Sequence, residues 1–428
     1  MSRLASAVLL LFFAAFISAP AIAWAWGVKG EGTALQNRNL AKRPQLTVAK
    51  VWDASFGKEL SDWVWDTIPL RADALKMDHR IDFYVFRDSP SREAFLGKDG
   101  FSWRRERVLG GIRAGATPPK EIHKALDRIE AAFADAGVPL HIVISPTKTS
   151  IYPEYLPDAY RAAYEELARP TERALRERAK RDPAIVDLWS PIHAEKQRLA
   201  SANFARPDLA LLWRRNDDHW NLEGGRIQAK EIVRHVDPGL WQEEKAPVLS
   251  GKFEMIESEI SRLYFKLDIR EPYQGMKQSP LVNVEMRHTN VTGSNNVIVI
   301  SESAVTPTHS PKKETVLVVR DSFLSDYNGR PSAGRNGGME ALAPFFEKVV
   351  FLHWDTISHG KKALPPRIRG IDRVVIQVTQ GSNYYLTRRT RDLEDLARMV
   401  KKGQGQVDDD KNRPRKKPDR HGADVRER

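Results

Sequence analysis

The sequence predicts an α/β fold built on a doubly wound parallel sheet, with a β-rich insertion and an N-terminal hydrophobic helix. Three observations carry this reading. Short runs of β-branched residues and leucine at 138–145, 316–319, 348–352 and 373–378 have the length and composition of strands buried on both faces. Between them lie stretches with apolar residues at helical spacing, and such alternation calls for parallel pairing through crossover helices. From 246 to 312 the alternation stops. There KFEMIESEISRLYFKLDI, PLVNVEMRHTNV and NNVIVISESAV read as strands, with turn residues Thr292-Gly293-Ser294-Asn295 between them.

In chain order, residues 4–26 are apolar apart from serines and a proline. About twenty apolar residues cross a bilayer as a helix, whereas a cleaved leader has a shorter core and a small-x-small site. Ala19-Pro20-Ala21 and Ala21-Ile22-Ala23 supply such sites. Residues 1–26 are therefore a signal peptide or a membrane anchor, and on either reading the remainder lies outside the cytoplasm, in the periplasm. Residues 27–118 form an N-terminal extension expected to pack on the catalytic domain. In it Phe56, Leu60, Trp63 and Val64 recur at helical spacing, with Trp63 and Trp65 expected to supply packing area. Lys98-Asp99-Gly100 reads as the turn of a hairpin within 95–103.

Residues 119–400 carry the catalytic domain. Pro119 opens a helix whose stripe is Ile122, Leu126, Ile129 and Phe133, and Gly137 closes it. The strand at 138–145 then runs into a proline-rich loop. A second helical stretch covers 157–180 with a break at Pro170, a strand is expected at 184–189, and glycines at 224 and 225 precede a short helix. After the insertion come the strand at 316–319, a glycine-dotted loop, a helix at 339–346 and the last two strands. From Lys401 apolar residues are scarce, so 401–428 is expected to be a disordered charged tail.

The chain has 428 residues, 68 basic and 56 acidic, for a formal net charge of +12, which favours acidic polymers or anionic membrane surfaces. No basic cluster interleaved with aromatics points to nucleic acid. The sequence contains no cysteine, which rules out disulfides and thiolate metal sites.

Ser322 follows the strand at 316–319 directly, at the carboxyl edge where open α/β sheets place their chemistry, and is the candidate nucleophile. A serine hydroxyl needs a base, and the base needs a group to orient it. Upstream, RRNDDHWNLEGG holds Asp217 and His219, which face the same way if the segment is extended. Either triplet alone recurs by chance: a serine there also caps helices, and a histidine beside Trp220 also serves as a hydrogen-bonded structural residue. It is the pair that carries weight. A metal reading of Asp217, Asp218 and His219 is disfavoured, because His193, His288, His353 and His359 are scattered without ligand spacing. No metal or other cofactor is expected.

Several motifs resemble the alginate O-acetyltransferase type of SGNH-hydrolase-like domain, the AlgX/AlgJ group of bacterial exopolysaccharide export systems. These are QNRNLAKRP from Gln36, IPLR at 68–71, FLGKDGF at 95–101, SPTKTSIYPEYLP at 145–157, DDHW at 217–220, RDSF at 320–323 and IDRVVIQVTQ at 371–380. The order, with Asp-His before the serine, matches that group and is permuted relative to ordinary SGNH esterases. The resemblance implies Ser322 as nucleophile, His219 as base and Asp217 as its orienting residue. It further implies an alginate-like, anionic polysaccharide substrate and a membrane-bound O-acyltransferase that supplies acetyl groups. Arg320 stands where SGNH enzymes often have glycine, and TQGSNYY replaces a frequent Glu-Arg pair. The alternatives are a carbohydrate acetylesterase using the same residues and a non-catalytic glycan-binding assembly protein.

Overall fold

In the computed structural model, described over residues 3–28, 41–115, 117–202, 211–277, 279, 284–291, 298–305, 311–326, 335–359, 364, 368–382 and 384–412, eleven strands fall into three sheets. β1 (Ala94–Leu96) and β2 (Ser102–Arg104) make the expected hairpin, turned over Lys98–Gly100 with Asp99 at φ 53°. β3 (Leu140–Ser145) and β4 (Ile185–Val186) belong to the main sheet. β5 (Val248–Glu257) and β6 (Arg270–Lys277) pair as a separate antiparallel ribbon. β7 (Val284–Val291), β8 (Ile298–Val305), β9 (Lys312–Arg320), β10 (Phe346–His353) and β11 (Arg373–Thr379) complete the main sheet, whose order is β4-β3-β11-β9-β10-β8-β7.

The five strands from β4 to β10 are mutually parallel. Their side chains alternate between two apolar layers, because successive residues of a strand point to opposite faces. Val316 and Val318 go to one layer, Leu317 and Val319 to the other. The first layer is covered by the helices Arg105–Gly115 and Leu222–Val236 through Val108, Ile112, Ile227 and Ile232. The second is covered by Pro119–Ala136, through its predicted stripe, and by Thr390–Asn412 through Leu393, Leu396 and Val400. Each of these buried branched side chains is worth about 1.5–3 kcal/mol relative to exposure.

Three expectations need correction: the continuous strand after β5, the packing of Trp65 and the start of the tail. The β-rich insertion is present and does not stand apart from the main sheet: β8 pairs antiparallel with β10, and β7 with β8, so the parallel sheet gains an antiparallel edge. The stretch after β5 is not continuous strand, since Ser261–Phe265 is a wide helical turn held by buried Phe265 and Ile260. The turn expected at 292–295 lies outside the described residues. In the extension, Phe95, Phe101, Trp103, Val108 and Ile112 are buried in the main core. Trp65 stays 60% exposed rather than packed, while Trp63 meets Trp24 at 5.9 Å. The tail is helical as far as Asn412. It docks because Lys401 donates to Asp135 O at 2.7 Å, Gln404 donates to Ile371 O at 2.8 Å, and Gly403 lies close against Ile368. Residues 413–428 lie outside the described residues.

Strand order places the site. The chain runs outward from β3 to β4 on one side and from β9 to β10 on the other, and β11 returns between β3 and β9. The carboxyl ends of β3, β9 and β11 therefore converge on one crevice, the position favoured for ligands in open α/β sheets.

Candidate active site

The turn after β9 presents Ser322. Asp321 pins it: its carboxylate accepts hydrogen bonds from Phe323 N (2.9 Å), Gln377 Nε2 (2.9 Å), Thr379 N (2.7 Å) and Thr379 Oγ1 (2.6 Å), and so ties the turn to β11. Asn336 holds the other side. Its Nδ2 donates to Ser322 O at 3.1 Å, and its Oδ1 accepts from Ser325 N and Gly338 N. A Cβ on Gly225 would sit 2.1 Å from Asn336 O, which explains the second glycine of the EGG motif.

The DDHW segment approaches from the opposite wall. Trp213 and Trp220 bridge its two ends, Trp213 Nε1 donates to Asp218 O at 3.1 Å, and Trp220 Nε1 reaches Phe323 O at 3.0 Å. Buried Lys148, from the SPTKTS loop, donates to Ser102 O (2.9 Å), Arg215 O (2.5 Å) and Asp217 O (3.1 Å), replacing water as partner to three carbonyls. Burial pushes its amine down to about 8.

These walls bring His219 Nε2 to 2.8 Å from Ser322 Oγ. On its other nitrogen the ring faces two carboxylates. Glu259 Oε2 is at 3.0 Å and Asp217 Oδ1 at 3.5 Å from Nδ1. Asp217 is fully buried; its Oδ1 also accepts the His219 backbone N–H at 3.0 Å, and its Oδ2 pairs with Arg214. Burial opposes charge on His219, yet hydrogen bonds and charge from Asp217 and Glu259 outweigh it and raise the imidazole to about 10. For Asp217 burial is likewise outweighed, here by Arg214 and His219, and the carboxyl is held well below its usual range. Asp218 points elsewhere, 3.3 Å from Arg104, and is pushed up to about 6 by burial and the nearby Glu259 charge.

Sequence reasoning missed Glu259. It follows β5, and the ribbon is fastened to the DDHW loop by Ile260 N donating to Asn216 O (3.0 Å) and Asn216 N to Glu271 Oε2 (3.1 Å). Asp217, His219 and Glu259 also offer one atom each within 4.8 Å, the spacing of a metal site. Both Asp217 oxygens are already partnered, one by the His219 backbone N–H and the other by Arg214, and His219 Nδ1 lies against Glu259. That arrangement suits a charge-oriented imidazole better than a cation.

Residues 95–254 match the family model of the SGNH hydrolase-like domain of acetyltransferase AlgX. The matched segment contains Asp217 and His219, while Glu259 and Ser322 come from the chain beyond it. Among solved structures, the O-acetyltransferase domain of Pseudomonas putida AlgJ aligns over 71% of this chain and 99% of its own length, at 14% identity and a TM-score of 0.41. A DHHW family protein from Eubacterium siraeum aligns over 71% and 95%, at 12% identity and a TM-score of 0.41. Bacillus cereus PatB1 with a sulfonyl adduct aligns over 67% and 96%, at 12% identity and a TM-score of 0.44. No curated protein matches the chain.

Proposed function

We propose that this protein is an extracytoplasmic O-acetyltransferase that acetylates hydroxyls of an exported, alginate-like polysaccharide through an acetyl-Ser322 intermediate. The 2.8 Å contact between Ser322 Oγ and His219 Nε2 carries the reading. The match of residues 95–254 to the AlgX acetyltransferase model supports acetyl transfer over other serine chemistry. Neutral His219 takes the Ser322 proton on Nε2 as Oγ attacks the acetyl carbonyl carbon. The tetrahedral oxyanion collapses, the C–O bond to the donor breaks, and the leaving oxygen receives the proton from Nε2. A sugar hydroxyl then loses its proton to the same nitrogen, attacks the acetyl-serine, and Ser322 leaves reprotonated. Asp217 and Glu259 keep Nδ1 as the donor side, so that Nε2 faces the serine, and stabilise the transient imidazolium. A membrane-bound O-acyltransferase fits the role of acetyl supplier, and the positive charge balance suits an acidic glycan.

The test is to incubate the full chain with an activated acetyl ester and analyse peptides by mass spectrometry. An acetyl group on the Ser322 peptide, absent in Ser322→Ala, is expected, followed by its transfer to an added oligosaccharide. Release as acetate alone would make the protein an esterase, and an unlabelled Ser322 peptide would end the acyl-enzyme mechanism.

A further inference from the structure

Between the apolar N-terminal helix and β1 the chain exposes more hydrophobic surface than a water-facing element needs. Trp52 is 85% exposed, Val85 68%, Met77 64% and Trp65 60%, and Leu46, Val48, Tyr84 and Phe86 are also on the outside. The pattern is sharpest on the continuous helix Arg71–Arg80 and Ile81–Phe86. One side of it is docked: His79 Nδ1 lies 2.8 Å from Phe265 O, and the Phe83 ring packs 5.5 Å from Phe265. Away from these contacts Met77, Ile81, Tyr84 and Val85, at helical spacing, line an open depression of about 730 Å³ with Asp73, Lys76 and Arg80 at its edge. A helix apolar on both sides is normally covered on both.

We propose that this outer surface, from Leu46 to Phe86, lies in the headgroup region of a phospholipid bilayer and is a second membrane contact beyond the N-terminal helix. Continuity identifies the occupant. In the sequence the surface begins about twenty residues after Leu4–Ala25, a helix long and apolar enough to span a bilayer. The two are in contact, with the Trp24 and Trp63 rings 5.9 Å apart, and Trp24 and Trp26 mark the helix end where tryptophan favours the membrane–water boundary. Cations accompany these rings as they do in interfacial helices: the Arg71 guanidinium lies 5.6 Å over exposed Trp65, and Arg43 lies 5.6 Å over half-buried Trp63. Because the helix docks on Phe265, in the turn just after Glu259, the bilayer contact holds the catalytic body at the membrane surface instead of leaving it on a tether.

The absence of cysteine makes single-site labelling clean. Full-length Val85→Cys, Trp52→Cys and a control, Arg173→Cys on the exposed side of a distant helix, are labelled with an environment-sensitive fluorophore and reconstituted in phosphatidylethanolamine–phosphatidylglycerol vesicles. Val85 is exposed, so its replacement leaves the core intact even if Trp52→Cys folds poorly. Lipids with a doxyl group near the headgroup should quench the labels at 85 and 52 severalfold more than the label at 173, and aqueous iodide should show the reverse order. Labels at 85 and 52 as open to iodide as the control would overturn the proposal. So would protection that appears only in native membranes, because that would make the occupant a protein.

Discussion

At about 10, His219 is almost entirely protonated at neutral pH, and an imidazolium cannot take a proton from Ser322. The difference between 10 and 7 is 3 units, so about one ring in a thousand is neutral at pH 7, a cost of about 4 kcal/mol before chemistry begins. Glu259→Gln removes the nearer of the two carboxylates, at 3.0 Å, but leaves an oxygen to accept the Nδ1–H. Loss of one adjacent opposite charge lowers such a pKa by roughly 1–3 units. The acidic limb of the pH–rate profile for Ser322 acylation should move down by the same amount, and the rate at pH 7 should rise a few-fold, because the gain in neutral ring is partly offset by the loss of Glu259 beside the imidazolium formed in the transition state. Single-turnover release of p-nitrophenol from its acetate ester, followed from mildly acidic to alkaline pH, reads both quantities. A limb that stays in place, with activity reduced equally at every pH, would refute the electrostatic argument and leave Glu259 as an orienting group alone.

Other perturbations probe the frame around the pair. Gly225→Ala places a Cβ 2.1 Å from Asn336 O, and the shift passed to Ser322 should slow acylation by about a hundred-fold; an unchanged rate would mean that Asn336 does not position the serine. Lys148→Met strips the donor from three carbonyls and should cost on the order of 1–3 kcal/mol in urea unfolding, whereas an unshifted midpoint would show those carbonyls resolvated. The stability supplied by charged His219 is fully present below its unfolded value near 6.5 and lost as pH rises through about 10. Thermal midpoints should therefore fall across that window, and the slope should flatten in His219→Asn; equal slopes would place the titrating group elsewhere.

The legible parts of this fold are those in which local sequence and tertiary context agree. The stripe of Pro119–Ala136 with its left-handed Gly137, and the runs that became β9, β10 and β11, had the period or composition their burial demands, so strand and helix could be read directly. Ser322 and His219 were legible for a related reason: a serine at the end of a buried strand and a histidine two residues from an aspartate each have a local signature. The second carboxylate has none. Glu259 lies in an acidic, mixed stretch that reads as surface strand, and it faces His219 only because Ile260 and Glu271 fasten the β5–β6 ribbon to the DDHW loop. Those fastenings join residues far apart in the chain, one through backbone groups that every sequence carries alike and the other through the Glu271 carboxylate, and neither leaves a local signature. The mixed sheet edge was hidden in the same way. Whether β8 adds to β10 or pairs only within its insertion depends on which edge is left uncovered, and hydrophobic period is blind to that. The tail shows the converse. Its polar residues beyond Val400 promised disorder, yet Lys401 and Gln404 find carbonyls on the body, so the helix continues on hydrogen bonds to its neighbours where apolar burial gives out.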